Sequence, residues 1–196
     1  MIRSKKDYIY YLECDRVALV QSKDSGVVIR IKNWILCNKI WKFQKLLRKA
    51  EYVKNCKQGI IGKVCYSIIL FRFKRLSLKL GFSIPLNVFG PGLSIAHYGT
   101  IVVNGGAKVG RNCRLHTCVN IGTQAGSSNL APIIGDNVYI GPGAKLFGPI
   151  VIGNDIAIGA NSVVTKSFEE NHITIVGAPA RKISDKGSEG FMIKAN

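Results

Sequence analysis

The sequence predicts a mainly β protein, a coil of short strands and tight corners behind an α-helical front. Three observations carry this. Aliphatic residues recur every six positions in the second half of the chain. Of 21 glycines, 18 lie from Gly81 onward. Charge is split: residues 1–80 hold 19 Lys/Arg against 5 Asp/Glu, and residues 81–196 hold 9 against 6. Two kinds of sequence therefore meet near Leu80.

The 196 residues suit one domain with a small appendage, long enough to bury a core. A 47% hydrophobic share argues against disorder. The longest mostly apolar run, Val64 to Phe71, has 8 residues and is broken by Ser67, too short for a membrane span. Met1–Lys6 is basic, but no apolar signal core follows it. The chain is therefore expected in the cytoplasm. Its net charge of +17 points to an acidic partner and says nothing of fold.

The front reads as two or three basic amphipathic helices. Asp7 to Val20 and Asn33 to Val53 have helical spacing, the second through Trp34, Leu36, Cys37, Ile40, Trp41, Phe43 and Leu47. Lys39, Lys42, Lys45, Arg48 and Lys49 lie between or beside these. Ile60 to Leu80 adds an apolar segment with a basic run, Arg72 to Arg75. Two readings stand: a packed helical layer with a solvated lysine face, or attachment to an anionic membrane surface or polyanionic ligand. A nucleic-acid role is not expected, because the basic residues fit no binding motif and no aromatic stacking pattern accompanies them.

The back half repeats. Val103, Val109, Leu115 and Ile121 stand six apart, as do Ile134, Ile140, Leu146, Ile152, Ile158 and Val164. Small or β-branched residues follow four places later: Ala107, Cys113, Val119, Val138, Ala144, Ile150, Ile156 and Ser162. Gly often follows the aliphatic directly, at 110, 122, 135, 141, 153 and 159. A period of six is neither helical nor a simple alternation. It fits a short strand and a corner, with the aliphatic in a narrow core and Gly or Asn at a corner of positive φ.

This pattern resembles the hexapeptide-repeat acyltransferases over roughly Ile84 to Ser184. The resemblance implies a left-handed parallel β-helix of triangular section, about three hexads to a turn, an exception to the usual right-handed crossover. The implied layout is a basic α-helical region over 1–80, a β-helix domain over 81–184 and a tail over 185–196. Within the superfamily the chain is similar to serine acetyltransferases, and particularly to their relatives in capsule and lipopolysaccharide gene sets. The segments carrying this run from Gly92 through His97 to Val103, Val119 to Thr123, Ile134 to Lys145, Ile158 to Val164 and Val176 to Lys182.

The resemblance assigns roles. His97 matches the family's catalytic histidine and is the expected general base, a task that suits an imidazole near pH 7. His116 is a second catalytic candidate, or else a corner or substrate-lining histidine, in a slot that Gly usually fills. His172 is read as structural. Acetyl-CoA is the implied cosubstrate. Its arm would lie along coil backbones at Gly122, Thr123, Gly141, Gly143, Ala144, Ala160 and Ala178, with Arg181 and Lys182 toward its phosphates. Tyr98 and Asn104 are the substrate-binding candidates; either of them, or a backbone carbonyl, could also orient His97. The loop Thr123 to Leu130 interrupts the hexads and is expected to cover the site.

Two departures shape the substrate expectation. Ala96 stands where the family has an Asp before the histidine. Leu130-Ala131 stands where it has an Arg-His pair that holds serine. Without that clamp, a saccharide hydroxyl in surface-polysaccharide assembly is the leading acceptor. Serine O-acetylation for cysteine synthesis and a non-catalytic β-helix scaffold are the alternatives. A homotrimer is implied by the resemblance. Contact of residues 1–80 with the inner face of an anionic membrane is a further expectation. Six cysteines at irregular spacing, with no C-x-x-C pair, argue against disulfides and zinc, so no metal is expected.

Overall fold

The computed structural model describes residues 1–19, 39–127 and 130–195. Three helices come first: α1 (Lys5–Leu19), α2 (Lys39–Cys56) and α3 (Gly59–Leu80). The expected helical spacing from Asn33 is met from Lys39 onward; Trp34, Leu36 and Cys37 lie outside the described residues. The α3 helix ends because Gly81 takes the left-handed conformation (φ 76°), its N–H turning back to the carbonyls of Leu78 and Ser77. The next residue, Phe82, already belongs to a strand.

From there the chain coils. It visits three walls in turn, and successive turns pair in parallel. The first wall stacks β1 (Phe82–Ser83), β3 (Ile101–Val103), β6 (Asn120–Gly122), β9 (Lys145–Phe147) and β12 (Val163–Val164). The second holds β4 (Lys108–Val109), β7 (Ile133–Ile134) and β10 (Val151–Ile152). The third stacks β2 (Ser94–Ile95), β5 (Arg114–Leu115), β8 (Tyr139–Ile140), β11 (Ala157–Ile158) and β13 (Thr174–Val176). It closes on an antiparallel strand, β14 (Arg181–Ser184).

The hexads explain this directly. Every aliphatic of the two periodic runs is buried, and so is every small or branched residue four places on. Partners on successive turns stand 18 residues apart where the repeat is regular, as Lys145 and Val163 do. They stand 25 apart on all three walls between the turns that flank the 123–130 segment.

One part of the corner reading is corrected. The glycines that follow the aliphatics do not have positive φ. That conformation falls two places later, at Asn112, Cys118, Asn137, Gly143, Asp155 and Asn161. The glycines answer a packing demand instead. A Cβ at Gly135 would meet the Gly153 carbonyl oxygen at 2.7 Å, and one at Gly141 would meet the Ile158 oxygen at 2.8 Å. Backbones of adjacent turns touch there, and only hydrogen fits between them.

The helices are fastened to the first turn. Phe43 of α2 stacks on Phe73 of α3 and meets Phe82 edge-on, with centroids 5.1 and 5.0 Å away. Beside it a fully buried Arg48 donates to Asp15 of α1 (2.8 Å), to Glu51 (3.0 Å) and to the carbonyls of Phe89 (2.9 Å) and Gly90 (2.7 Å). Asp15 Oδ1 also accepts the Gly92 and Leu93 N–H groups, each at 2.9 Å. Burial opposes the guanidinium charge, but Asp15 and Glu51 outweigh it and raise the Arg48 pKa. No described helix is long and apolar enough to cross a membrane.

Candidate active site

The site candidates gather along one edge of the coil, where the chain passes from the third wall to the first. His97 and Gly99 lie on that edge after β2, and His116 and Thr117 after β5. Gly141 and Gly143 follow β8, Ala160 follows β11 and Ala178 follows β13. Backbone bonds stack these corners. Gly143 donates to the Thr117 carbonyl (2.9 Å), Asn161 to that of Pro142 (2.8 Å) and Val163 to that of Gly177 (2.9 Å). A stack of small residues presents main chain to anything laid along it.

The two histidines occupy one end. Register pairs Ile95 with Leu115, and both histidines follow within two residues of that pair. The imidazole centroids are 6.2 Å apart, the rings tilted by 55°. His97 is exposed. His116 is half-buried, its Nε2 enclosed without a hydrogen-bond partner. Burial, then the charge of Arg114, then His97 hold its pKa below the ordinary 6.5. His116 is therefore neutral at pH 7. It owes its place to no corner conformation: the positive φ of its turn belongs to Cys118 (φ 60°).

Sequence reasoning missed two members of this cluster. The Tyr139 ring lies 5.0 Å from His116, and Phe191 lies 5.2 Å from Tyr139. The first was findable, because register stacks Ser94, Arg114 and Tyr139 as one outward column next to the histidines. Arg114 donates to the Ser94 hydroxyl at 3.0 Å. Phe191 carried no signal; it arrives because the C-terminal tail folds back. Ser188 donates to the Asp155 and Asn137 carbonyls, Lys194 pairs with Asp155 (2.7 Å), and the Ala195 N–H meets Asn112 Oδ1 (3.1 Å).

Other candidates fall elsewhere. Gly122 and Thr123 sit at the next corner, between the first and second walls, with Gly122 close against the Phe147 ring. Ala144 is a core residue, so only its main chain could meet a ligand. Tyr98 is 74% exposed beside His97. The Asn104 side-chain oxygen is used within its own turn, accepting the Gly106 N–H at 2.7 Å. Arg181 is exposed, whereas Lys182 is already paired with Glu170 (2.6 Å) and Asp185 (2.5 Å). His172 takes the left-handed conformation (φ 61°) at an exit corner. In the interrupting loop Gln124 donates to the Leu130 carbonyl (3.0 Å), closing its neck; Ser128 and Asn129 lie outside the described residues. Among the described residues no group of three or more His, Cys, Asp or Glu could hold a metal ion.

Comparison with known proteins agrees with the hexad fold. Residues 131–166 match the family described as bacterial transferase hexapeptide (six repeats). The chain is 30% identical over 139 residues to a serine acetyltransferase of Buchnera aphidicola from Schizaphis graminum, covering 69% of this chain and 50% of that one. It is 38% identical over 103 residues to the serine acetyltransferase of Mycobacterium tuberculosis, covering 50% and 43%. The solved serine acetyltransferase of Brucella abortus in complex with coenzyme A superposes with a TM-score of 0.74. It is 27% identical, and the match covers 93% of this chain and 70% of that one. The chain spans about half the length of the curated relatives it matches.

These likenesses correct the acceptor expectation. They point to serine acetyltransferases rather than to capsule or lipopolysaccharide enzymes, so the saccharide acceptor and its place in polysaccharide assembly are withdrawn. That expectation leaned on Leu130 and Ala131 as a missing clamp. In the structure Leu130 closes the loop neck through its carbonyl and Ala131 is buried. These positions shape a loop and say nothing of what the acceptor is.

Proposed function

We propose that the protein is an acetyl-CoA-dependent O-acetyltransferase that acts on the hydroxyl of serine. One observation carries the chemistry: an exposed histidine and a half-buried partner histidine stand together at the end of an edge of small residues. The relatives supply the substrate class, and the coenzyme A complex of the Brucella protein supports the donor.

In this reading His97 takes the proton of the acceptor hydroxyl as its oxygen bonds to the thioester carbonyl carbon. A backbone N–H holds the oxyanion that develops. The C–S bond then breaks, and His97 returns its proton to the departing thiolate. Burial holds the His116 pKa down, so this neighbour adds little positive charge to the site. The donor's arm lies along Gly141, Gly143, Ala160 and Ala178, with Gly122, Thr123 and the Ala144 main chain as outlying contacts. Exposed Arg181 meets its phosphates, and Tyr98 borders the acceptor. The proposal includes a homotrimer with its sites between copies, working in the cytoplasm.

The test is release of free CoA from acetyl-CoA with L-serine. His97→Ala should lower turnover by about 10²- to 10⁴-fold while CoA still binds by calorimetry. Near-wild-type turnover in that variant would falsify the role given to His97, and no CoA binding by the native chain would favour a non-catalytic scaffold.

A further inference from the structure

Away from the histidine edge, one surface stands apart. The α3 helix packs inward through Gly62, Ile69, Phe73, Ser77 and Leu80. On its opposite side Ile60, Ile61, Val64, Ile68, Phe71 and Leu78 project outward, each 55–84% exposed. At a helix's 3.6 residues per turn these six fall on one stripe, with exposed Arg75 among them over the Phe71 ring. Soluble proteins rarely leave a contiguous apolar face open unless something covers it.

The charges beside the stripe say what. Lys63 and Lys74 flank it on one side and Arg72 and Lys79 on the other. Residues 39–80 hold 12 Lys/Arg and a single acid, Glu51. That acid is buried against Arg48, so no carboxylate of this stretch reaches the surface. Lys42, Arg72, Arg75 and Lys79 also rim a shallow groove of about 190 Å³ floored by Leu46 and Leu76. Pairing this face with a second copy would set the same cations against one another with no acid to neutralise them. An anionic bilayer meets both features at once.

We propose that α3 docks on an anionic lipid surface, its apolar stripe among the acyl chains and its cations among the headgroups. The helix lies along the interface: its 22 residues extend about 33 Å, and it does not qualify as a span. The inference is independent of the acetyltransferase reading.

Sedimentation with lipid vesicles tests it. The full chain should pellet with vesicles of phosphatidylcholine mixed with phosphatidylglycerol at low salt. It should stay in solution with phosphatidylcholine alone, and leave the mixed vesicles at high salt. Ile61→Ser with Ile68→Ser should weaken binding by about tenfold or more at an unchanged melting temperature, since both side chains are exposed. Arg72→Glu with Lys79→Glu should abolish it. Failure to pellet on anionic vesicles at low salt overturns the proposal. So does equal binding by the stripe variant. A concentration-dependent self-association that the stripe variant dissolves, with vesicle binding unaltered, overturns it in favour of an interface between copies.

Discussion

His97 and His116 face each other across adjacent turns of the coil, their ring centroids 6.2 Å apart. One is open to solvent and the other is half-buried with an unbonded Nε2. The asymmetry assigns them different work. His116→Asn should lower kcat/KM about tenfold, well short of the loss from His97→Ala. Steady-state kinetics with L-serine compares them, and equal losses would make the pair a single catalytic unit.

The same burial gives a pH signature. The folded pKa of His116 lies below the ordinary 6.5, so the folded chain binds fewer protons than the unfolded chain below that pH. Its contribution to stability is complete above pH 6.5 and is lost as pH falls through the folded pKa. Urea midpoints should therefore decline toward about pH 5, and less steeply in His116→Gln. An unchanged slope in that variant would show that other groups set it.

Arg48 anchors the helices to the coil through two carboxylates and two carbonyls. Arg48→Met should cost about 3–5 kcal/mol, because Asp15 and Glu51 are left buried without a cation. An all-apolar replacement of the three should not restore stability. The N–H groups of Gly92 and Leu93 depend on Asp15, and that of Asn87 on Glu51. Each orphaned N–H costs about 1–3 kcal/mol. Urea unfolding of the single and triple variants measures both, and a triple variant as stable as the wild type refutes this.

Two glycines should respond differently to alanine. At Gly135 the new Cβ would press on the Gly153 backbone, with about 1–3 kcal/mol lost. At Gly126 there is open space, and the cost is only the strain of its φ of 80°, about 1–2 kcal/mol. Crystal structures separate the two: Gly135→Ala should widen the local spacing of turns, and Gly126→Ala should not.

The thiols should divide by access. Cys113 is buried, and its burial pushes its pKa up, so it should resist alkylation in the folded protein. Cys65 and Cys118 are exposed and should react. Mass spectrometry after native labelling with iodoacetamide reads the pattern. Modification of Cys113 at the rate of Cys118 would mean that the coil opens locally.

Much of this architecture was legible in the residues. The hexad aliphatics named the core because a narrow coil admits one large side chain per wall, and each such position is buried. The corners were misread because Gly serves two ends, positive φ and close approach, and spacing alone does not separate them. His97 and His116 were visible as residues. Their neighbour Tyr139 required the register across the seven-residue interruption, and Phe191 required the path of the tail. The Arg48 network was hidden for a different reason. A lysine-rich helix gives no sign of which cation faces inward until its partners on α1 and the first turn are in place.

The interruption after β6 carries a consequence of its own. It lengthens one circuit of the coil from 18 residues to 25, yet all three walls resume their pairing beyond it. The coil therefore treats a corner as a splice point. Segments of different length or chemistry can be exchanged there without moving His97, His116 or the edge they share. Such a scaffold can vary its loops in length while the histidine edge is carried over whole.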